Sequence, residues 1–258
     1  LERVSQSGLS YYRHEGWDGL AHGIFTRHGG VSESHWTSLN VGGTNGDDAD
    51  AVRENHRRMY RVADVHAERA VTTWLVHGTD TIVVSHPTEK RGWLAKADGM
   101  ITNQPDTPLV MRFADCVPLL LYDPTKGAIG LGHAGWRGTV KGMAASMVRK
   151  MRIAYGSQPE DIEAVLGPAI SGRNYRVGEE VAAQARAYYG DEPSLISRDA
   201  GSGGVYLDLW QANRLDFERQ GVRNVTLLEI CTFENTADFF SHRAEQGKTG
   251  RFGVVMSL

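Results

Sequence analysis

A chain of 258 residues with 41% hydrophobic content can bury a sizeable core and should be globular. Its net charge of −3 offers no broad attraction to phosphate backbones or anionic lipid, and its longest apolar runs, such as 117–122, fall far short of a membrane span, so neither nucleic acid nor membrane is expected as a partner. Two cysteines remote from each other cannot build a disulfide framework, and the first residues lack a basic start followed by an apolar stretch, which together point to the reducing cytoplasm.

In chain order, short apolar runs alternate with amphipathic stretches. Helical spacing first appears over about 47–61, and strand-like runs bounded by turn formers follow over 70–77, 81–85, 109–122 and 127–132. A second helix is predicted over 139–155, where Val140, Met143, Ala144, Met147, Val148 and Met151 share one face and Lys141, Arg149, Lys150 and Arg152 fill the other, with Thr139 as N-cap. The methionine stripe reads as core. A strand over 161–167, helices over 178–189 and 208–220, and strands over 224–230 and 252–257 complete the pattern. No repeat or low-complexity linker divides the chain, so a single domain is expected.

Three short motifs carry residues with metal-binding chemistry: WLVHGTD at 74–80, FADCVPLLLYD at 113–123 and GLGHAGWRGT at 130–139. The two imidazoles of His77 and His133 and the thiolate of Cys116 suit zinc, and three protein ligands leave a fourth tetrahedral position for water or substrate. A blander reading makes Cys116 a buried strand cysteine and the histidines incidental. The same atoms also spell a thiol hydrolase, with Cys116 as nucleophile, His77 or His133 as base and Asp115 or Asp98 as the orienting acid. Against that reading, Asp115 and Cys116 are neighbours on a predicted strand and should point to opposite faces, and two histidines exceed what a thiol mechanism needs.

Residues 130–139 read as a strand, a tight glycine turn and a helix, which brings His133 and Arg137 close to a helix N-terminus that favours an anion. GLGHAG also matches G-x-G-x-x-G, but Trp136, Arg137 and Gly138 separate it from the helix and no acid lies around 153–157, so no nicotinamide or flavin is expected. The sequence contains no G-x-S-x-G, no G-x-x-x-x-G-K-[ST], no H-E-x-x-H and no C-x-x-C.

Over nearly its whole length the chain resembles the YfiH/YlmD-like proteins, once labelled multicopper polyphenol oxidases or laccases and since described as purine nucleoside phosphorylases. The resemblance rests on FTRHGGVS at 25–32, SLNVGGTNGDDADAVRENHRRM at 38–59, VHG at 76–78, ADGMIT at 97–102, ADCVPLLLYD, GHAGWRGT, GPAI at 167–170, YLDLWQANR at 206–214, CT at 231–232, FFSHR and KTGR. It implies an α+β fold, with mixed β-sheets layered against helices as an α/β/β/α sandwich. It also implies a zinc ion on His77, Cys116 and His133, with copper as second choice.

The implied substrates are purine nucleosides and phosphate: phosphorolysis of adenosine, inosine and methylthioadenosine, with adenosine deamination at the same site. In such an enzyme Arg137 and Arg27 are the candidate anion holders, Asn40 a candidate substrate contact, and Asp98 or Asp115 the proton shuttle beside a metal-activated water. Alternatives are a peptidoglycan-editing hydrolase acting on a cell-wall precursor, a polyphenol oxidase-like activity, and a metal-stabilised protein without turnover. The chain departs from its relatives at Leu75, where many carry Gln, at Gly172-Arg173-Asn174-Tyr175, where many carry Cys-Cys-Tyr, and at His242, where Tyr is common.

Overall fold

In the computed structural model, which describes residues 1–88 and 92–258, the period-two segments pair into two large sheets. The first half contains β1 (Glu2–Gln6), β2 (Leu9–Arg13), β3 (Ala21–Phe25), α1 (Ala49–Val62), β4 (Thr72–Trp74), β5 (Thr81–Val83), β6 (Trp93–Lys96), β7 (Gly99–Thr102), β8 (Leu109–Phe113) and β9 (Val117–Asp123). The second contains β10 (Ala128–Ala134), α2 (Trp136–Thr139), α3 (Met143–Tyr155), β11 (Glu163–Leu166), β12 (Arg176–Val177), α4 (Glu179–Tyr189), β13 (Ile196–Arg198), β14 (Val205–Leu207), α5 (Leu209–Arg219), β15 (Asn224–Leu227) and β16 (Phe252–Ser257).

One sheet has the order β1-β2-β3-β16-β8 and is antiparallel throughout. The other runs β15-β11-β9-β10-β7-β5, antiparallel at its centre and parallel at both edges. Side-chain alternation sorts the apolar residues into layers. Phe252, Val254 and Met256 of β16 pack with Leu120, Ile129 and Leu131 of the second sheet, while Val255 turns the other way, into the cluster that holds Met59 and Val62 of α1. On β9, Leu119 and Leu121 face Met143, Met147 and Met151 of α3. Each such side chain contributes on the order of 1.5–3 kcal/mol when fully buried. The result is the expected α/β/β/α layering. Among the described residues no helix is long and apolar enough to cross a membrane.

Local chemistry breaks three of the predicted elements. The strand expected over 109–122 is two strands in different sheets: β8 stops at Phe113, Asp115 takes a left-handed φ of 81°, and β9 starts at Val117. The bend is held from far away, because the Asp115 carboxylate accepts from Thr232 Oγ1 at 2.6 Å and from the Arg243 amide at 2.7 Å. The strand expected over 70–77 ends at Trp74, since the amides of Val76, His77 and Gly78 curl around the Asp98 carboxylate.

The helix expected over 139–155 is also two pieces. Gly142, at φ 80°, ends a short turn and starts α3, so Thr139 closes α2 instead of capping α3, and its hydroxyl accepts from Asn213 Nδ2 at 3.0 Å. Gly130 and Gly132 lie against Met147, which lets α3 press close to β10. That contact accounts for two glycines of the G-x-G-x-x-G pattern without a dinucleotide.

Candidate metal centre

The site forms where the chain leaves β8 for β9. The alternation that turns Ile129 and Leu131 toward the neighbouring sheet turns His133 the same way, and its ring centroid lies 5.5 Å from that of Phe113. The register Ala134↔Val117 brings Cys116, just before β9, beside Gly135, just after β10. His77 arrives on the turn after β4 with a left-handed φ of 58°. The ligand atoms of His77, Cys116 and His133 lie within 4.8 Å of one another. A tetrahedral zinc site spaces such atoms by about 3.3–3.6 Å, so closure on an ion requires only a small movement.

Asp98, fully buried at the start of β7, organises the cluster. Its Oδ1 accepts from His133 Nδ1 at 3.0 Å and from the His77 amide at 3.0 Å, and its Oδ2 accepts from the amides of Val76 at 3.1 Å and Gly78 at 2.7 Å. With Nδ1 donating to the carboxylate, His133 presents Nε2 to a cation. Burial would raise the Asp98 carboxyl, but the His133 ring and the amides of Gly78 and Val76 outweigh it and hold the group below the usual carboxylate range. Burial also pushes the Cys116 thiol up, yet His133 and then His77 overcome this and bring it to about 6. Desolvation pulls His133 down, but the thiolate and Asp98 raise it to about 9. Without a cation, Cys116 and His133 form a thiolate–imidazolium pair.

Space for an ion is kept by Gly135, where a Cβ would lie 3.0 Å from Cys116 Sγ and 3.0 Å from His77 Cδ2. The donor set of two imidazoles and one thiolate fits a transition metal such as zinc or copper. It is the single cluster of its kind among the described residues. The cluster opens onto a cleft of ≈ 1530 Å³, whose lining also includes Trp74, Trp93, Arg112, Arg137 and Arg251.

Of the other expected contacts, Arg137 lines this cleft, stacked at 4.4 Å over the Trp136 ring and in no ion pair among the described residues. The helix at its side is one turn long, so the dipole argument for an anion there loses its force. Arg27 is placed elsewhere and occupied: it donates to the carbonyls of Thr37 and Thr236, pairs with Glu245 at 3.1 Å and stacks on Phe240. Asn40 is fully buried, and its amide ties Gly42, Asn45, Asp47 and the Arg251 backbone together, which makes it a loop organiser. Asp115 spends its carboxylate on Thr232 and Arg243.

The expectations from sequence passed over Trp74, Trp93, Arg112 and Arg251. A signal existed for Arg112, the one cation in the otherwise apolar run LVMRF.

A family model described as multi-copper polyphenol oxidoreductase laccase matches residues 14–258. A protein of Bacteroides thetaiotaomicron named purine nucleoside phosphorylase is 34% identical over 94% of this chain and 93% of its own length. Purine nucleoside phosphorylase YlmD of Geobacillus stearothermophilus is 37% identical over 90% of this chain and 88% of its own. The crystal structure of Bacillus licheniformis YfiH superposes with a TM-score of 0.92 at 32% identity, covering 99% of this chain and 98% of that one. With sequence and fold matched over almost its entire length, the chain belongs to the YfiH/YlmD-like family.

Proposed function

We propose that this protein is a zinc-dependent purine nucleoside phosphorylase that acts on adenosine, inosine and methylthioadenosine and also deaminates adenosine. The observation that carries the reading is the three-residue cluster opening onto a cleft with room for a nucleoside and phosphate together, in a chain whose relatives bear the phosphorylase name. In phosphorolysis a phosphate oxygen bonds to C1′ of the ribose while the N-glycosidic bond breaks and the purine leaves with the electron pair and a proton. In deamination a water oxygen bonds to C6 of adenine and ammonia departs.

A bound zinc ion supplies Lewis acidity and a lowered pKa for water at its open position. His77, Cys116 and His133 would hold it. Asp98 acts through them: its two oxygens fix the His133 tautomer and the His77 turn, which leaves it no lone role as a free proton shuttle. Arg137 is kept as a substrate-binding residue because it faces the cleft unpaired.

The alignment of Cys116, His133 and Asp98 gives the thiol-hydrolase reading a geometric footing, so the test must separate the two. Zinc-loaded protein is incubated with adenosine, with and without phosphate, and products are identified. Adenine, hypoxanthine and ribose 1-phosphate with phosphate, inosine without it, and loss of all of these on chelation are expected. Full activity after zinc removal, with a substrate adduct trapped on Cys116, would sink the zinc enzyme in favour of the thiol hydrolase.

A further inference from the structure

Arg112 and Arg251 share one face of the five-stranded sheet. In the β8–β16 pairing Arg112 lies opposite Gly253, and Arg251 stands two positions before Gly253, so the two side chains project from the same face as diagonal neighbours. Both line the cleft that holds the metal cluster.

Their surroundings hold them by hydrogen bonds and not by a direct ion pair. Arg112 donates to Thr72 Oγ1 at 3.3 Å and to the Thr73 carbonyl at 3.0 Å. Arg251 donates to the carbonyls of Thr249 at 3.3 Å and Gly250 at 2.7 Å. Neither makes an ion pair with a carboxylate among the described residues, whereas Arg57 and Arg58, on α1, share Glu54, and Arg27 has Glu245. Burial depresses both guanidinium groups; at Arg112 Tyr60 opposes this and the charge of Arg251 adds to it, while at Arg251 the charges of Cys116, Asp115 and Glu245 oppose it. Arginine stays protonated under such pressure, so two adjacent half-buried cations with no carboxylate in direct contact favour an arriving anion. Arg251 also senses the charge of Cys116, which places it within electrostatic reach of the metal cluster.

We propose that Arg112 and Arg251 form an oxyanion subsite that takes inorganic phosphate beside the metal cluster. The assignment deepens the phosphorylase reading and rests on it for the role of the bound phosphate. It replaces Arg27, whose guanidinium is already neutralised. A planar guanidinium binds phosphate through paired N–H donors, and two set at an angle can hold a tetrahedral dianion while one oxygen stays free to attack.

The test uses full-length wild type, Arg251→Met, Arg112→Met and Arg112→Lys, with folding checked by circular dichroism. Thermal unfolding against inorganic phosphate, and separately against adenosine 5′-monophosphate, reads binding without turnover. The phosphate KM in phosphorolysis reads it in action. Removal of either guanidinium is expected to weaken phosphate protection and raise the phosphate KM about 10- to 100-fold, by more than the nucleoside KM.

If Arg112→Met fails to fold for want of its threonine anchors, Arg112→Lys and Arg251→Met carry the measurement. Phosphorolysis with a phosphate KM unchanged in folded variants overturns the subsite and leaves the phosphorylase standing. Arginine-dependent phosphate protection in a protein that does not phosphorolyse nucleosides keeps the subsite and removes the phosphorylase. Protection by the nucleotide alone, or by neither anion, overturns the subsite.

Discussion

His133 stands at the end of β10, 4% exposed, with its amide on the Asp98 carbonyl, its ring on the Asp98 carboxylate and Phe113 beside it. His77 stands on an exposed turn just beyond β4, its amide anchored on Asp98, its side chain against Cys116 and its ring edge-on to His133 at 5.0 Å. One candidate ligand belongs to the core and the other to a loop, yet a single carboxylate positions both. The contrast separates two kinds of support within the candidate site: one histidine is fixed by the core, the other by a turn whose stability is local.

Replacement of each ligand should expose the difference most sharply. In chelator, His133→Ala is expected to cost about 3–5 kcal/mol of unfolding free energy, because it empties a buried site and removes the side-chain partner of the buried Asp98 carboxylate, leaving only the turn amides. His77→Ala should cost much less, within about 1 kcal/mol of wild type, because the side chain is exposed and its contacts with Cys116 and the His133 ring lie at the edge of the cluster. Urea denaturation checks both, and equal losses would erase the distinction between the two kinds of support. Metal binding should fail in each variant.

Asp98→Asn comes next in size. An amide can still accept from one donor, but it cannot serve as a carboxylate for His133 Nδ1 and the three turn amides together. Metal affinity is expected to fall about 10- to 100-fold, measured by competition with a chromophoric chelator. An unchanged affinity would mean that the two histidines find their places without a common anchor.

The smallest effect concerns protons. In metal-free protein the Cys116 thiol should become a thiolate as pH rises through about 6, so alkylation by iodoacetamide should accelerate through that pH and level off above it. Because His133 holds its proton up to about 9, metal affinity should climb from pH 6 to pH 9 as that proton becomes easier to displace. Buried Cys231 is the internal control. An alkylation midpoint at the ordinary thiol value would remove the thiolate–imidazolium pair.

The grouping of His77, Cys116 and His133 was legible in the sequence because each sits in a compact motif whose residue types carry their own chemistry. Strands such as β10 and β16, and helices α4 and α5, were legible from period and turn residues. The break at Asp115 was not, since an unbroken apolar run conceals a bend held by Thr232 and Arg243, more than a hundred residues away. Strands β1 to β3 escaped because polar residues interrupt their alternation, as in ERVSQ. Asp98 could be named as an acid near the site, but its place beneath both histidines depends on the pairing of β7 with β10. Arg27 and Asn40 drew attention through their motifs, and only tertiary contacts show their hydrogen-bonding capacity already spent.

Gly135 has a consequence for genetics. Its φ of −77° is one that alanine adopts freely, so the smallest coding change, a single base, would place a methyl group between Cys116 and His77 while preserving every ligand atom. A cell carrying Gly135→Ala is expected to make a folded protein whose Cys116–His77 gap is narrowed and whose metal binding is weakened. Its phenotype would separate what the polypeptide does by being present from what it does when loaded.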